Sequence, residues 1–239
     1  MIQNVYKDLQ YATEYASLDW GGTYYLVRRD LPGLLQKHVP GKRALDFGCG
    51  AGRSTRLLHD LGYDPVGIDV SASMIEQAKQ LHPELTFQLI EDGDFADVPE
   101  ETFDLVLACF PFDNIPGSDR KASLIRGLAS RLQTNGVLVN VVSSAELYAH
   151  EWASFTTSAF SENLSAKNEE IVRIVTRDFE GTPVCDDIRC DDAGYEAIYR
   201  AAGLREIERA RPLGSEDDPV EWVNEMTIAP WVIWVLAKS

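Results

Sequence analysis

The chain has 239 residues, 45% apolar and 10% aromatic, which is enough for one α/β domain with a sizeable core, or one domain plus a small lid. A formal net charge of −16 with no basic run argues against a nucleic-acid surface, which needs clustered Lys and Arg, and against docking on an anionic membrane. No apolar run approaches a spanning helix, Met1 to Lys7 carry no cationic stretch ahead of an apolar one, and four cysteines do not make a disulfide scaffold, so a cytoplasmic location is expected.

Three regions separate along the chain. Residues 1–40 read as an N-terminal helical cap rich in aromatics, among them Tyr6, Tyr11, Tyr15, Trp20 and Tyr24. Trp20-Gly21-Gly22-Thr23 breaks it, and a second helix is expected from about Thr23 to His38, disturbed at Pro32. Residues 41–239 read as one domain. From Gly41 to Val142, apolar runs at Ala44–Phe47, Pro65–Ile68, Thr86–Ile90, Leu105–Cys109 and Val137–Val142 read as strands buried on both faces. Helical patterns at Arg53–Leu61, Ala72–Leu81 and Lys121–Leu132 lie between them. Such alternation implies a doubly wound sheet that binds ligands at the carboxyl ends of its strands.

The remainder is less regular. Ser143 to Ser165 reads as helical and aromatic, and a lid is expected as an insertion around residues 143–168. A strand at Glu169–Phe179, a helix at Asp192–Ala202 stopped by Gly203, and strands at Leu204–Ala210 and Ala229–Ala237 complete the pattern. Cys185 and Cys190, flanked by Asp186, Asp187, Asp191 and Asp192, lack the spacing of a zinc site. They read as free thiols beside exposed acids, and no metal site is expected.

The most informative stretch is Leu45-Asp46-Phe47-Gly48-Cys49-Gly50-Ala51-Gly52-Arg53. Alternate glycines let the backbone turn sharply and let a ligand lie against bare main chain. The dinucleotide fingerprint Gly-x-Gly-x-x-Gly fails, because Arg53 stands where its third glycine belongs. Asp46 would repel a pyrophosphate but would attract an ammonium group, so the loop suits a ligand with a cationic end.

This pattern resembles motif I of the class I S-adenosylmethionine-dependent methyltransferases, Asp/Glu-x-Gly-x-Gly-x-Gly, with Asp46, Gly48, Gly50 and Gly52 matching position by position. Val66-Gly67-Ile68-Asp69 resembles the acid-ended second strand, Ser71-Ala72-Ser73-Met74 the helix start after it, and Gly93-Asp94-Phe95 the turn after the third strand. Thr102 to Leu107 and Gly136 to Val142 resemble the fourth and fifth strands. The resemblance implies a doubly wound, Rossmann-like, mostly parallel seven-stranded sheet with an antiparallel last strand, plus a helical lid. It implies S-adenosylmethionine as cofactor and S-adenosylhomocysteine as product. The implied cofactor contacts are Asp46, Gly48, Cys49, Gly50, Gly52, Asp69, Val70, Met74, Asp94, Phe95 and Cys109, with Tyr15 from the cap. Asp69 would hold the ribose hydroxyls and Met74 would lie against the adenine. Asp94 would accept from the adenine amino group, and the Phe95 amide would meet the ring.

Methyl transfer from a sulfonium needs alignment and desolvation, and needs a base only if the acceptor must lose a proton. Cys109-Phe110-Pro111-Phe112-Asp113-Asn114 follows the fourth strand, where the resemblance puts the methyl group. Family members acting on base amines often carry Asn/Asp-Pro-Pro-Tyr/Phe here; only the Pro-Phe half is present. Phe110 and Phe112 read as walls for an apolar or aromatic acceptor, and Asp113 as a group that binds or deprotonates it. His150 is the other candidate base, because imidazole titrates near neutrality. The expectation is O- or N-methylation of a small molecule. The alternatives are a methyltransferase-like protein that binds cofactor or partner without turnover, and an enzyme that uses the same pocket for a different reaction.

Overall fold

The computed structural model describes residues 20–100, 102–178 and 184–239. Tyr6, Tyr11 and Tyr15, and with Tyr15 one of the expected cofactor contacts, lie outside the described residues. A 3-10 turn at Gly22–Tyr24 leads into α1 (Tyr25–His38), which continues through Pro32. The alternating run follows as β1 (Arg43–Phe47), α2 (Arg53–Asp60), β2 (Asp64–Asp69), α3 (Ala72–Leu81), β3 (Thr86–Leu89), β4 (Phe103–Cys109), α4 (Ser118–Ala129) and β5 (Leu132–Ser143). Then come β6 (Phe155–Thr156), β7 (Ile171–Thr176), β8 (Val184–Ile188), α5 (Asp192–Ala201), β9 (Leu204–Ala210) and β10 (Trp231–Lys238).

The large sheet has the order β3-β2-β1-β4-β5-β10-β9. Its first five strands run parallel, and the last, β10, is inserted antiparallel between β5 and β9. The order reverses between β1 and β4, so the carboxyl ends of those two strands frame the crevice where such sheets bind ligands. Side chains alternate across the sheet as the period of two demands. Leu105 and Leu107 of β4 face α1 with Leu26, Val27, Leu31 and Leu35, while Val106 and Ala108 face α4 and α5 with Ile125, Leu128, Ile198 and Tyr199. Gly203, at φ +80, ends α5 as expected, and Ser71 caps α3, accepting from the Met74 amide.

The helical lid is corrected. Residues 143–165 hold two 3-10 turns, Ala145–Tyr148 and Ser161–Ser165, with β6 between them. Tyr148, Trp152 and Phe155 are buried as their composition suggests, but the backbone is committed elsewhere. Asn163 bridges the segment to β7, donating to the carbonyls of Tyr148 and Arg173 and accepting from the Arg173 amide at 3.0 Å. The inserted element is therefore an antiparallel sheet, β6-β7-β8. The helix expected at Lys121–Leu132 starts earlier, after Gly117 at φ +87, and Leu132 already belongs to β5.

A polar clamp fastens this sheet to the chain's start and end. Thr23 and Ser154 exchange amide-to-hydroxyl bonds at 3.0 Å each. Glu225, wholly buried, accepts from the Thr23 hydroxyl and from the amides of Ala153, Val223 and Asn224. Trp231 Nε1 donates to the Thr23 carbonyl at 2.9 Å. The clamp fixes the turn that carries Tyr24 at the carboxyl edge of the sheet.

Candidate active site

Two loops meet at the crevice. The first, residues 48–52, joins β1 to α2, and Gly48, Gly50 and Gly52 all adopt left-handed backbone, at φ +68, +53 and +94. Only glycine takes this conformation without cost. A Cβ on Gly48 would stand 2.6 Å from Pro111 of the second loop, and one on Gly52 would stand 2.8 Å from Phe87. Those two glycines allow close packing. Gly50 instead donates its amide to Asp69 Oδ2 at 2.9 Å.

Asp69 ends β2, and its Oδ1 accepts from the Ser71 amide at 2.8 Å. Burial raises its pKa against the pull of these amides. An ionised carboxylate offers about four acceptor positions, so room remains for further donors. Asp46, in β1, is fully buried. Its Oδ2 accepts from the hydroxyls of Ser54 at 2.7 Å and Thr55 at 2.6 Å, while its Oδ1 has no partner among the described residues. Desolvation pushes this carboxyl up to about 6. A buried oxygen left without a donor is costly.

The other expected contacts scatter around this cradle. Cys49 is buried beneath the loop, and burial pushes its thiol up. Val70 is 41% exposed, whereas the Met74 side chain is covered by protein. Asp94 is exposed and accepts from the Ala96 amide at 2.8 Å; the Phe95 ring packs in the core against Phe47.

The second loop follows Cys109, whose thiol is also pushed up by burial. Phe110 takes φ +72, which costs a side-chain-bearing residue about 1–2 kcal/mol. Asp113 secures the loop: it is buried and accepts from the Ser143 amide at 3.0 Å, the Ser143 hydroxyl at 2.7 Å and the Tyr195 hydroxyl at 3.4 Å. In this ligand-free fold its oxygens are thus engaged within the protein. Phe112, expected as a pocket wall, is wholly buried against Phe47. His150 stands half-exposed beyond the 3-10 turn, with Nε2 3.1 Å from Glu146 Oε2.

Asp187 is likewise not the exposed acid that was expected. It is buried, accepting from Asn114 Nδ2 at 2.6 Å and the Tyr148 hydroxyl at 3.1 Å, and burial beside Asp113 raises its pKa. Cys185 and Cys190 are buried thiols, neither of them in a disulfide.

Sequence reasoning missed the wall that closes the crevice. Tyr24 packs edge-on against Phe110 at 5.6 Å and Phe155 at 5.4 Å, and stacks on Trp231 at 5.6 Å. Arg53, met earlier only as a misplaced glycine, lies 4.6 Å from the Trp20 ring centroid and 4.7 Å from that of Tyr24. The aromatic richness of the N-terminal region was the available signal; its union with Phe155 and Trp231 had none.

Residues 44–136 match a family model described as a methyltransferase domain. The chain is 41% identical over 80 residues to a ribosomal protein L11 methyltransferase of Ralstonia pickettii, covering 31% of this chain and 25% of that one. It is 29% identical over 128 residues to a 2-methyl-6-phytyl-1,4-hydroquinone methyltransferase of Synechocystis, covering 52% and 36%. The aligned stretches thus span well under half of either relative. The fold matches a crystal structure of an S-adenosylmethionine-dependent methyltransferase from Clostridium acetobutylicum with TM-score 0.63 at 13% identity, over 99% of this chain and 100% of that one.

Proposed function

We propose that this chain, which belongs to the class I S-adenosylmethionine-dependent methyltransferases, methylates an oxygen or nitrogen of a small, mostly apolar or aromatic acceptor. Bound S-adenosylmethionine supplies a methyl group already activated by positive sulfur. The protein's share is then alignment and exclusion of water, worth on the order of 7–11 kcal/mol.

The observation that carries the reading is the buried Asp46 Oδ1, unpartnered among the described residues, beneath a left-handed glycine loop. An ammonium group supplies both the donor and the charge that this atom lacks. In this reading Gly48, Cys49, Gly50 and Gly52 offer main chain to the amino-acid end of the cofactor, and Asp69 accepts from the ribose hydroxyls. Val70 and Met74 border the adenine, Asp94 and the Phe95 amide meet its edge, Cys109 borders the methyl group, and Tyr15 covers the site. Phe110, half-buried at the end of β4, turns its open side to the acceptor. With Asp113 held by Ser143 and His150 paired to Glu146, the acceptor's proton passes to solvent. A cytoplasmic setting completes the proposal.

The test is a thermal shift with S-adenosylhomocysteine, S-adenosylmethionine and NAD. A ligand at 100 times its Kd stabilises by about 2.7 kcal/mol, and each kcal/mol moves the midpoint by roughly 2–4 °C in a domain of this size. A rise of several degrees with the sulfur ligands and none with NAD supports the reading. Stabilisation without any methyl transfer across an acceptor screen would favour a binding protein lacking turnover.

A further inference from the structure

We propose that Asp113 and Asp187 hold one proton between them and that this proton latches the small sheet to the loop after β4, so that the loop is fastened in acid and loosens as pH rises toward neutrality. Nothing in this latch depends on the methyltransferase reading. Asn114 ends the 3-10 turn that follows Phe110. Its Nδ2 donates to the Asp186 carbonyl at 3.1 Å and to Asp187 Oδ1 at 2.6 Å, which ties β8 to the loop. Asp187 Oδ2 lies 3.1 Å from the Tyr148 hydroxyl, and that hydroxyl also hydrogen-bonds Ser143. Ser143 in turn donates its hydroxyl to Asp113 Oδ2 at 2.7 Å. Two hydroxyls therefore join the two carboxyls, and a hydroxyl both donates and accepts. With a proton on Asp187, every bond of the chain runs toward Asp113. Shifting each hydrogen one place along the chain moves the proton to Asp113.

Charge decides how many protons the pair keeps. Asp113, Asp187 and Lys121 are buried, and among the described residues Lys121 is the one lysine or arginine that is. Its Nζ has no hydrogen-bond partner among those residues, stands 5.3 Å from the Tyr195 ring centroid and acts on Asp113 as a charge at a distance. One ammonium offsets one carboxylate, and a second buried carboxylate is left uncompensated. Asp113 is the better anion: burial raises it, but its Ser143 bonds and Lys121 pull it back. Asp186, beside Asp187 on β8, is paired with Arg173 of β7 at 3.0 Å. Cys109, Tyr148, Cys190, Tyr195 and Tyr199 face the pair from the other elements, and burial pushes each of them up and keeps it neutral. Burial, and then the Asp113 charge, push Asp187 from 3.8 up to about 8. The latched state thus keeps a proton that an opened, hydrated pair releases between those values. Opening becomes about tenfold easier with each pH unit in that window and levels off above it.

The test is hydrogen exchange of two amides, Asp113, which donates to the Phe110 carbonyl, and Ser143, which donates to the Asp113 carboxyl. Exchange is followed by NMR on the full chain from pH 5 to 7 and corrected for intrinsic rates. Wild type should lose roughly 100-fold in protection across that range, one proton's worth. Asp187→Asn, a neutral stand-in for the protonated acid, leaves one carboxylate for one ammonium, and its protection should not vary with pH. Asp113→Asn should flatten the profile equally, because Asp187 then ionises opposite Lys121. The carboxyl carbon shifts of wild type, which need no variant, should show one of the two acids ionised at pH 6. Two ionised carboxyls there, or a flat wild-type profile, would overturn the proposal. A slope that survives Asp187→Asn would overturn it as well, by marking unfolding of the whole chain. A slope that survives Asp113→Asn alone would assign the proton to Asp187 and overturn its sharing.

Discussion

The loops after β1 and β4 lie against each other, and each is tied to a buried aspartate, yet the two acids are in opposite condition. Asp113 has its oxygens engaged by the Ser143 amide and hydroxyl and by Tyr195. Asp46 has two hydroxyls on one oxygen and, among the described residues, nothing on the other. Burial raises the pKa of both, so titration does not tell them apart. Bonding does: a satisfied buried carboxylate fixes the backbone around it, and an unsatisfied one still lacks a donor.

The largest expected effect is the pH dependence of Asp46. Its folded pKa, about 6, lies above the ordinary 3.8. The folded state therefore binds more protons between those values, and the stability this gives is present below pH 3.8 and lost as pH rises through 6. The stability of wild type minus that of Asp46→Asn, from urea denaturation without ligand, should fall by about 3 kcal/mol from pH 2.5 to 7. S-adenosylhomocysteine affinity should change the other way, weakening below pH 6 as the carboxylate is neutralised. A flat difference curve would place Asp46 with Asp113 as a purely structural acid.

Asp69→Ala sharpens the contrast from the ligand side. Hydrogen bonds to a charged group contribute about 1.5–3 kcal/mol each, so losing the ribose acceptor should weaken S-adenosylhomocysteine roughly 100-fold, about 2.7 kcal/mol, by calorimetry. Unchanged affinity would remove Asp69 from the cradle. Asp113→Ala should do the reverse. It strands the Ser143 amide in a buried position, a loss of about 2 kcal/mol in unfolding free energy, while cofactor affinity stays within about twofold, a bound set by its place outside the cradle. Weakened cofactor binding with intact stability would break the comparison.

The same contrast explains what was legible in the sequence. A ligand lying on bare main chain demands glycines at fixed local intervals, and Asp69 is only 19 residues from the Gly50 amide it holds. The cradle and the five parallel strands are therefore written locally. The helix Ala72–Leu81 was read residue for residue because Ser71 marks its start. The small sheet is written over long range. β8 reads Val-Cys-Asp-Asp-Ile, and its buried Asp187 is tolerated through Tyr148 and Asn114, 39 and 73 residues away. Glu225 looks like any surface acid until Thr23, 202 positions earlier, donates to it. Aromatic composition gave the burial of Tyr148, Trp152 and Phe155 but carried no 3.6-residue period to decide the form of residues 143–165.

His150 tests how far the contrast between satisfied and unsatisfied groups extends. Its partner, Glu146, is four residues away and more than half exposed, and His150 itself is 36% exposed. Such a pair is screened by water and contributes little. His150→Ala should change unfolding free energy by less than about 0.5 kcal/mol. If the acceptor's proton leaves to solvent, the variant should keep kcat within about twofold across pH 6 to 9, because no transition-state proton transfer is removed. A general base contributes roughly 100-fold or more, so a loss of that size in kcat, with cofactor affinity unchanged, would restore His150 as the base. It would also mean that a group partnered at the surface in the ligand-free fold changes partner when the acceptor binds. The bonding rule that separates Asp46 from Asp113 would then hold for buried groups alone, where exchange of partners is costly.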